Sequence, residues 1–455
     1  MEWDVIVIGA GQTGGPLSAR LAEAGKRVLL AERKHVGGTC SNYGCTPTKT
    51  LIASARAAHV ARTAARLGIH ADVRVDFQAV IRRKNELVQQ WRQGTERRLA
   101  RAGESLVLKR AHARFVDTHE VEVDGERHRA KTLVIDVGAR PAIPRIEGLD
   151  RVAWLDNATV MELDEVPEQL VVLGGGYIGC ELGQAFRRFG ADVTIIDRNE
   201  HLLAREDEDV SHVIAEVFAQ EGISVRLGTE VRRVGMNRDA IEVETSNGST
   251  IAGTHLLVAV GRQPNTHDLG CEAAGVELDQ LGYIRVNDRY ETNVRGVYAS
   301  GDVTGGPQFT HTAWDDHRLL YDIILGNVRR TRQDRLIPHA TFTDPQVAGI
   351  GLTERAAREQ NVAYELATFP FGNIARAIET DERSGLLKVL LDPATERIIG
   401  ATIVGAEAAE LIHILLATIA AGAKAQTLVD AEFVHPAFAE GVQSALMRLS
   451  RYAPK

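Results

Sequence analysis

Two segments of this chain share one layout. DVIVIGAGQTGGPLSARLAEAGKRVLLAER, near the N-terminus, and QLVVLGGGYIGCELGQAFRRFGADVTIID, in the middle, each read as an apolar strand, a glycine turn, a helix and a second strand ending on an acid. The glycines fall at Gly9, Gly11 and Gly14 in the first and at Gly174, Gly176 and Gly179 in the second. In such a βαβ unit the first glycine permits the tight turn, the second lets a pyrophosphate approach the backbone, and the third lets helix and strand pack closely. Amides at the helix N-terminus then face the phosphates. The closing acids are Glu32, 23 residues after Gly9, and Asp197, 23 residues after Gly174. Each is suited to accept hydrogen bonds from an adenosine ribose. One glycine turn alone has purely structural uses, but two copies matched in spacing and terminal acid predict paired dinucleotide sites.

At 455 residues the chain exceeds one hydrophobic core, and roughly three domains are expected. A formal charge of -8 argues against a nucleic-acid partner, which would need a basic face. The one arginine-rich run, 82–101, interleaves Ile81, Leu87, Val88, Trp91 and Leu99 with charge and reads as the wet side of a helix. No run reaches 18 apolar residues and the N-terminus lacks a basic signal region, so a cytosolic protein with no membrane partner is expected.

TLVIDVGARPAIP and HLLVAVGRQPNT read as crossovers between the two binding domains. VYASGDVTGG is a strand closing on Gly301 and Asp302, a turn able to offer a carboxylate to a ribityl hydroxyl. From about 337 the pattern changes to short alternating strands, then apolar helices over 407–421 and 436–449. GGTCSNYGCTPTKT places Cys40 and Cys45, two of only four cysteines, five residues apart. A zinc knuckle, a staple and a redox pair all have this outline, though zinc needs two further ligands and Cys180 and Cys271 are isolated. No metal site is expected.

Two nucleotide folds, a CxxxxC and a late HPAFAE together resemble the flavoprotein disulfide reductases, the family of dihydrolipoamide dehydrogenase, glutathione reductase and mercuric reductase, along essentially the whole chain. CTPTKT, REDEDV and GGPQFTHTAWDD look most like its mercuric-reductase-like branch, which includes a bacterial reactive-chlorine-resistance reductase. The resemblance implies an α/β protein with two Rossmann-like domains, one for FAD and one for NAD(P), and a C-terminal α+β dimerisation domain. The expected divisions are 1–147 (FAD, first segment), 148–265 (NAD(P)), 266–336 (FAD, second segment) and 337–455 (dimerisation). Three departures stand out. IDVGARP, with Asp136 and Val137, stands where the family usually has Ala-Thr-Gly, and leaves packing of the flavin domain open there. Ser18 replaces a common alanine. The tail SRYAPK lacks the vicinal cysteines of mercuric reductases and no metal-binding domain precedes Met1, so mercury reduction is not expected.

The resemblance makes Cys40 and Cys45 the redox disulfide, with Cys45 facing flavin and Cys40 attacking substrate. In ideal helix, residues five apart have Cα atoms roughly 8 to 9 Å apart, whereas a disulfide tolerates at most about 7 Å. If the two are bridged, the backbone between them is not regular helix, and Gly44 offers the distortion. Thr46 and Pro47 suit the N-cap and first position of a helix whose dipole favours a Cys45 thiolate. Lys49 resembles the family lysine near flavin N5, paired with the glutamate matching Glu181. His435 and Glu440 resemble the family's proton-shuttling pair, contributed across a homodimer interface.

FAD would also contact Gly38, Thr39 and Gly138, and NAD(P) would contact Ile178, Arg198, Gly261 and the aromatic gate Tyr177. Asp197 favours NADH, because a carboxylate repels a 2′-phosphate, while Arg198 and Arg205 favour NADPH. The implied activity is NAD(P)H-dependent reduction of a small disulfide, or the reverse oxidation of a dithiol. Reduction of a metal ion or oxidant, or a non-enzymatic flavin-binding subunit, are the alternatives. The acceptor is left open, with Ser41, Tyr43, Trp314 and the helix after Thr50 as plausible linings of its cleft.

Overall fold

Alternate residues of the strand Glu2–Ile8 enter two different cores. Trp3, Ile6 and Ile8 pack with Phe115, Val121 and Val297, whereas Val5 and Val7 pack with Leu17, Leu21, Leu319 and Leu320. Side chains of a strand alternate between faces, so a strand apolar on both faces belongs inside a sheet covered on both sides. The computed structural model describes residues 1–452. The last three residues of the SRYAPK tail lie outside them.

The chain divides into two compact units. The first comprises Met1–Thr50, Ala79–Ala142 and Gly261–Arg335. Its sheet runs in the order Leu106–Lys109, Val28–Ala31, Glu2–Ile8, Glu126–Ile135, Glu120–Val123 and Ala113–Asp117, with Val297–Ala299 also paired to Glu126–Ile135. Pairing among the first four strands is parallel, and Ile8 lies level with both Ala31 and Ile135. The three strand ends that carry the glycine turn, the acid and the IDVG turn are thereby brought together.

The second unit comprises Leu51–Gln78, Ile143–Val260 and Leu336–Lys455. It repeats the same plan: a parallel sheet ordered Ser224–Arg226, Asp192–Ile196, Gln169–Leu173 and His255–Val258, beside an antiparallel sheet of Val231–Asn237, Ala240–Thr245 and Thr250–Gly253. Its C-terminal part is a five-stranded antiparallel sheet against which Leu411, Ile412 and Leu415 of the helix Ala408–Ala420 are buried. The protein is thus α/β, with two Rossmann-like domains and a C-terminal α+β domain.

Local details depart from the sequence reading. The arginine-rich run lies in the helix Phe77–Ala100, but Lys84 on it is 1% exposed and Trp91 is 59% exposed. Arg82, Arg83, Glu86, Arg97 and Arg98 are exposed, so the charged run is the wet side of the helix with Lys84 as its exception. The last regular helix is Glu440–Leu446 and does not begin at 436, because the Glu440 carboxylate accepts the Ala437 amide at 2.8 Å and holds the preceding residues in a turn. Among the described residues no helix is long and apolar enough to cross a membrane.

Candidate active site

The two glycine turns are near copies, hydrogen bond by hydrogen bond. The Gly9 amide donates to Ala31 O and the Gly174 amide to Ile196 O, both at 2.8 Å. Their φ values, +100° and +107°, are ones that glycine adopts at little cost. A Cβ on Gly14 would stand 2.0 Å from Gly9 O, and one on Gly179 1.9 Å from Gly174 O, so only glycine allows each helix to approach its strand. The acids are held alike. Glu32 accepts the Ala10 amide at 2.8 Å and the Lys34 amide at 2.7 Å. Asp197 accepts the Gly175 amide and, at 2.7 Å, the Asn199 amide.

In the first unit the cradle closes from several sides. A Cβ on Gly38 would meet Gly11 Cα at 2.8 Å, and Thr39 follows Gly38 in the short helix Gly38–Tyr43. The Gly301 amide donates to Asp316 at 2.8 Å, and Asp316 also accepts Tyr290 and Arg335 at 2.6 Å each. Asp302 sits 3.4 Å from Arg262, and burial pushes its carboxyl up. Gly138 has φ +64° and its carbonyl accepts the Asn265 amide at 3.1 Å. Gly261 falls in this unit, its carbonyl accepting the Ala142 amide at 2.9 Å. Two buried hydroxyls beside the Gly301 turn, Ser300 Oγ and Thr312 Oγ1, have no partner among the described residues. Bare turns of glycine backbone, a braced acid and orphaned hydroxyls fit a large polar ligand with a pyrophosphate, as FAD is.

The cysteines lie on either side of a break. Cys40 is in the helix Gly38–Tyr43, Gly44 departs from helical geometry (φ −132°, ψ −113°), and the helix Cys45–Thr63 begins at Cys45. The start is therefore earlier than an N-cap at Thr46 with Pro47 following, and Pro47 falls third, where its missing N–H is still no loss. Cys45 stands at a helix N-terminus, where the dipole favours a thiolate. The sulfurs are not joined. Cys45 Sγ is 3.0 Å from Thr310 Oγ1, at the head of the helix Thr310–Ile324. Hydrogen bonding with Cys45, then burial, pushes the Cys40 thiol up, while Thr310 and Lys49 pull it down. Cys40 therefore holds its proton beside Cys45. Ser41, by contrast, is 4% exposed and turned toward Gln12, so it does not line an open cleft. Trp314 is exposed and lies under Arg98.

In the second unit Tyr177 and Ile178 open the helix Tyr177–Phe189, with Tyr177 and Arg198 exposed and Gly176 facing open space. Glu181 is buried and accepts the Phe342 amide at 2.8 Å. Lys49 belongs to the other unit. His435 Nδ1 lies 2.9 Å from Glu440 Oε1, with most of the imidazole exposed. Glu440 holds His435 above its ordinary range, and the Ala437 amide, then His435, hold Glu440 below its own. Cys180 is buried and donates to Gly175 O, and burial pushes its thiol up; burial likewise pushes Cys271 up to about 11.

The model for pyridine nucleotide-disulphide oxidoreductases matches residues 3–316, and that for the family's dimerisation domain matches 337–446. The chain belongs to this family. Pyridine nucleotide-disulphide oxidoreductases use FAD and NAD(P)H, and this chain is accordingly an NAD(P)H-dependent flavoprotein oxidoreductase. It is 33% identical to a mercuric reductase of Lysinibacillus sphaericus over 99% of this chain and 83% of the relative. It is 34% identical to the probable oxidoreductase RclA of Escherichia coli over 97% and 98%, and 34% identical to a dihydrolipoyl dehydrogenase of Thermus scotoductus over 99% and 98%. Among solved structures, the Cu(II) complex of the HOCl-induced flavoprotein disulfide reductase RclA from Escherichia coli matches with a TM-score of 0.91 at 32% identity, covering 99% of this chain and 100% of that one.

Sequence reasoning missed two oxidoreductase residues on the helix Thr310–Ile324: Thr310, against the Cys45 sulfur, and Asp316, which braces the Gly301 turn. Both lie in the GGPQFTHTAWDD run, whose resemblance to the family assigned neither a role. Among the described residues no group of three or more His, Cys, Asp or Glu could hold a metal ion.

Proposed function

We propose that this enzyme passes electrons from NAD(P)H through FAD and the Cys40–Cys45 pair to a small disulfide, as a cytosolic homodimer whose sites are each completed by His435 and Glu440 of the partner subunit. The observation that carries the reading is the sulfur pair itself: Cys45 at a helix head beside Thr310, with Cys40 in hydrogen-bonding reach. When bound, FAD supplies the two-electron link between nicotinamide and sulfur. Gly9, Gly11, Gly14 and Gly38–Thr39 would cradle it, Glu32 would take its ribose, Gly138, Gly301 and Asp302 its remaining polar edge, and Lys49 its ring. Gly174, Gly176, Tyr177, Ile178, Gly179, Asp197 and Arg198 would serve the nicotinamide nucleotide.

In the reduced pair Cys45 carries the charge and Cys40 the proton. His435 of the partner subunit takes that proton, and the Cys40 sulfur attacks one sulfur of the substrate, breaking its disulfide. The leaving thiolate receives the proton back from the imidazole. Cys45 then attacks the Cys40 sulfur of the mixed disulfide, closing the Cys40–Cys45 bond and releasing the second thiolate, which takes a proton from solvent relayed through the same imidazole. Such exchange is fastest for thiols with pKa near ambient pH. Thr310 is expected to help set that value. Thr310→Val should raise the pH at which Cys45 alkylates rapidly by about one to two units, since hydrogen bonds to charged groups are worth roughly 1.5–3 kcal/mol. Thr310→Ser should not, and a valine variant titrating with the wild type would remove Thr310 from this role.

Asp197, fixed by two amides, supports NADH as the preferred donor. Turnover with NADH and NADPH against lipoamide, glutathione disulfide, other small disulfides, Hg(II), Cu(II) and hypochlorite tests the whole reading. A disulfide should be the best acceptor, with the larger kcat/KM for NADH. Turnover confined to a metal ion would favour the activity named for the mercuric reductases, since a metal ion needs no protonated leaving thiol from His435, and turnover confined to hypochlorite would favour reduction of an oxidant.

A further inference from the structure

We propose that Asp136 is a positioning residue of the first dinucleotide loop that works as an uncharged acid, so that flavin is held more weakly whenever its carboxyl ionises. The internal duplication supplies the comparison. Asp136 answers to Ala259: the Asp136 amide donates to Ile8 O and the Ala259 amide to Leu173 O, both at 2.8 Å. A Cβ on Gly9 would stand 2.2 Å from Asp136 O, and one on Gly174 2.5 Å from Ala259 O. Where the second copy has a methyl group, the first has a carboxyl that is only 7% exposed.

That carboxyl runs beneath the glycine turn. Oδ2 accepts the Gly14 amide at 2.7 Å and lies 2.7 Å from the place a Gly11 Cβ would occupy; Oδ1 lies 3.0 Å from that of Gly301. One side chain thus underlies both turns that face the flavin nucleotide. The charged groups around it are acids: Glu32 after the strand Val28–Ala31, Asp302 after Val297–Ala299, and Asp316 on the helix Thr310–Ile324. The nearby cations are committed elsewhere, Arg262 to Asp302 and Arg335 to Asp316. Among the described residues no basic side chain pairs with Asp136. Burial and these neighbours push its carboxyl well above the usual range, against the Gly14 bond. A pyrophosphate at the turn adds further negative charge. The protonated acid keeps a carbonyl oxygen for Gly14 and gains a donor hydroxyl, whereas the ionised form repels the ligand at short range.

This rests on the assignment of the first loop to FAD. If binding requires one proton on Asp136, FAD affinity falls by up to about tenfold per pH unit above the carboxyl's pKa in the free protein. The test is the FAD dissociation constant of the full-length protein, followed by recovery of flavin fluorescence between pH 5.5 and 9.5. The wild type should weaken as pH rises. Asp136→Asn, which keeps the shape and the Gly14 contact, should give a flat profile. Asp136→Ala, the residue of the second loop, should do the same and keeps the test decisive if the amide variant misfolds. Identical profiles for the wild type and a folded variant would overturn the inference alone. A protein that holds no flavin at any pH would overturn the loop's assignment and the inference with it.

Discussion

His435→Gln is expected to lower disulfide turnover by ~10²–10⁴-fold, the usual contribution of a positioned general acid–base group, while flavin content and reduction by NADH stay unchanged. The imidazole is largely exposed and held through Nδ1 by Glu440, itself fixed by the Ala437 amide. Its other nitrogen has no partner among the described residues, as the proposed role in a partner subunit's site requires. Glu440 raises the His435 pKa, so the imidazolium persists to higher pH than in an ordinary histidine. If proton donation to the leaving thiol limits turnover, kcat falls as pH rises through that pKa. Glu440→Gln withdraws the carboxylate and should move the fall to lower pH. A pH–rate profile of the three proteins checks both sign and size.

Cys45→Ser should abolish the long-wavelength thiolate-to-flavin absorbance and disulfide turnover together. Cys40→Ser should abolish turnover alone. The asymmetry follows from the backbone: Cys45 heads the helix Cys45–Thr63 beside Thr310, while Cys40 lies across the Gly44 break, and its thiol is pushed up by its neighbour. Serine preserves the packing but is a far poorer nucleophile, so loss of activity with retained flavin binding is the expected phenotype.

Much of this was legible in residues 1–50 and 169–197, because glycines that must let backbones touch and acids that must cap a strand leave few alternatives. The match of the Gly9 and Gly174 turns was implicit in their shared spacing. The break between Cys40 and Cys45 was foreseeable at Gly44. Its exact helix start was not, since Thr46–Pro47 looks like a helix opening wherever the first turn falls. Thr310 and Asp316 stood in the GGPQFTHTAWDD run, but their roles did not show, because each depends on a partner outside that run, Cys45 in one case and Gly301 in the other. Asp136 showed as a departure in IDVGARP, but only the fold reveals that its carboxyl reaches Gly14. Lys84 was misplaced for the opposite reason: a charged run gives no sign of which member faces inward.

The central claim is that electrons reach substrate through Cys40 and Cys45. Anaerobic alkylation of the folded holoenzyme before and after NADH, with each modified cysteine located by peptide mass, tests it most directly. The account predicts that NADH makes Cys40 and Cys45 reactive while buried Cys180 and Cys271 stay unlabelled. Labelling at 40 and 45 that NADH does not change, in enzyme that still turns over a disulfide, would contradict it.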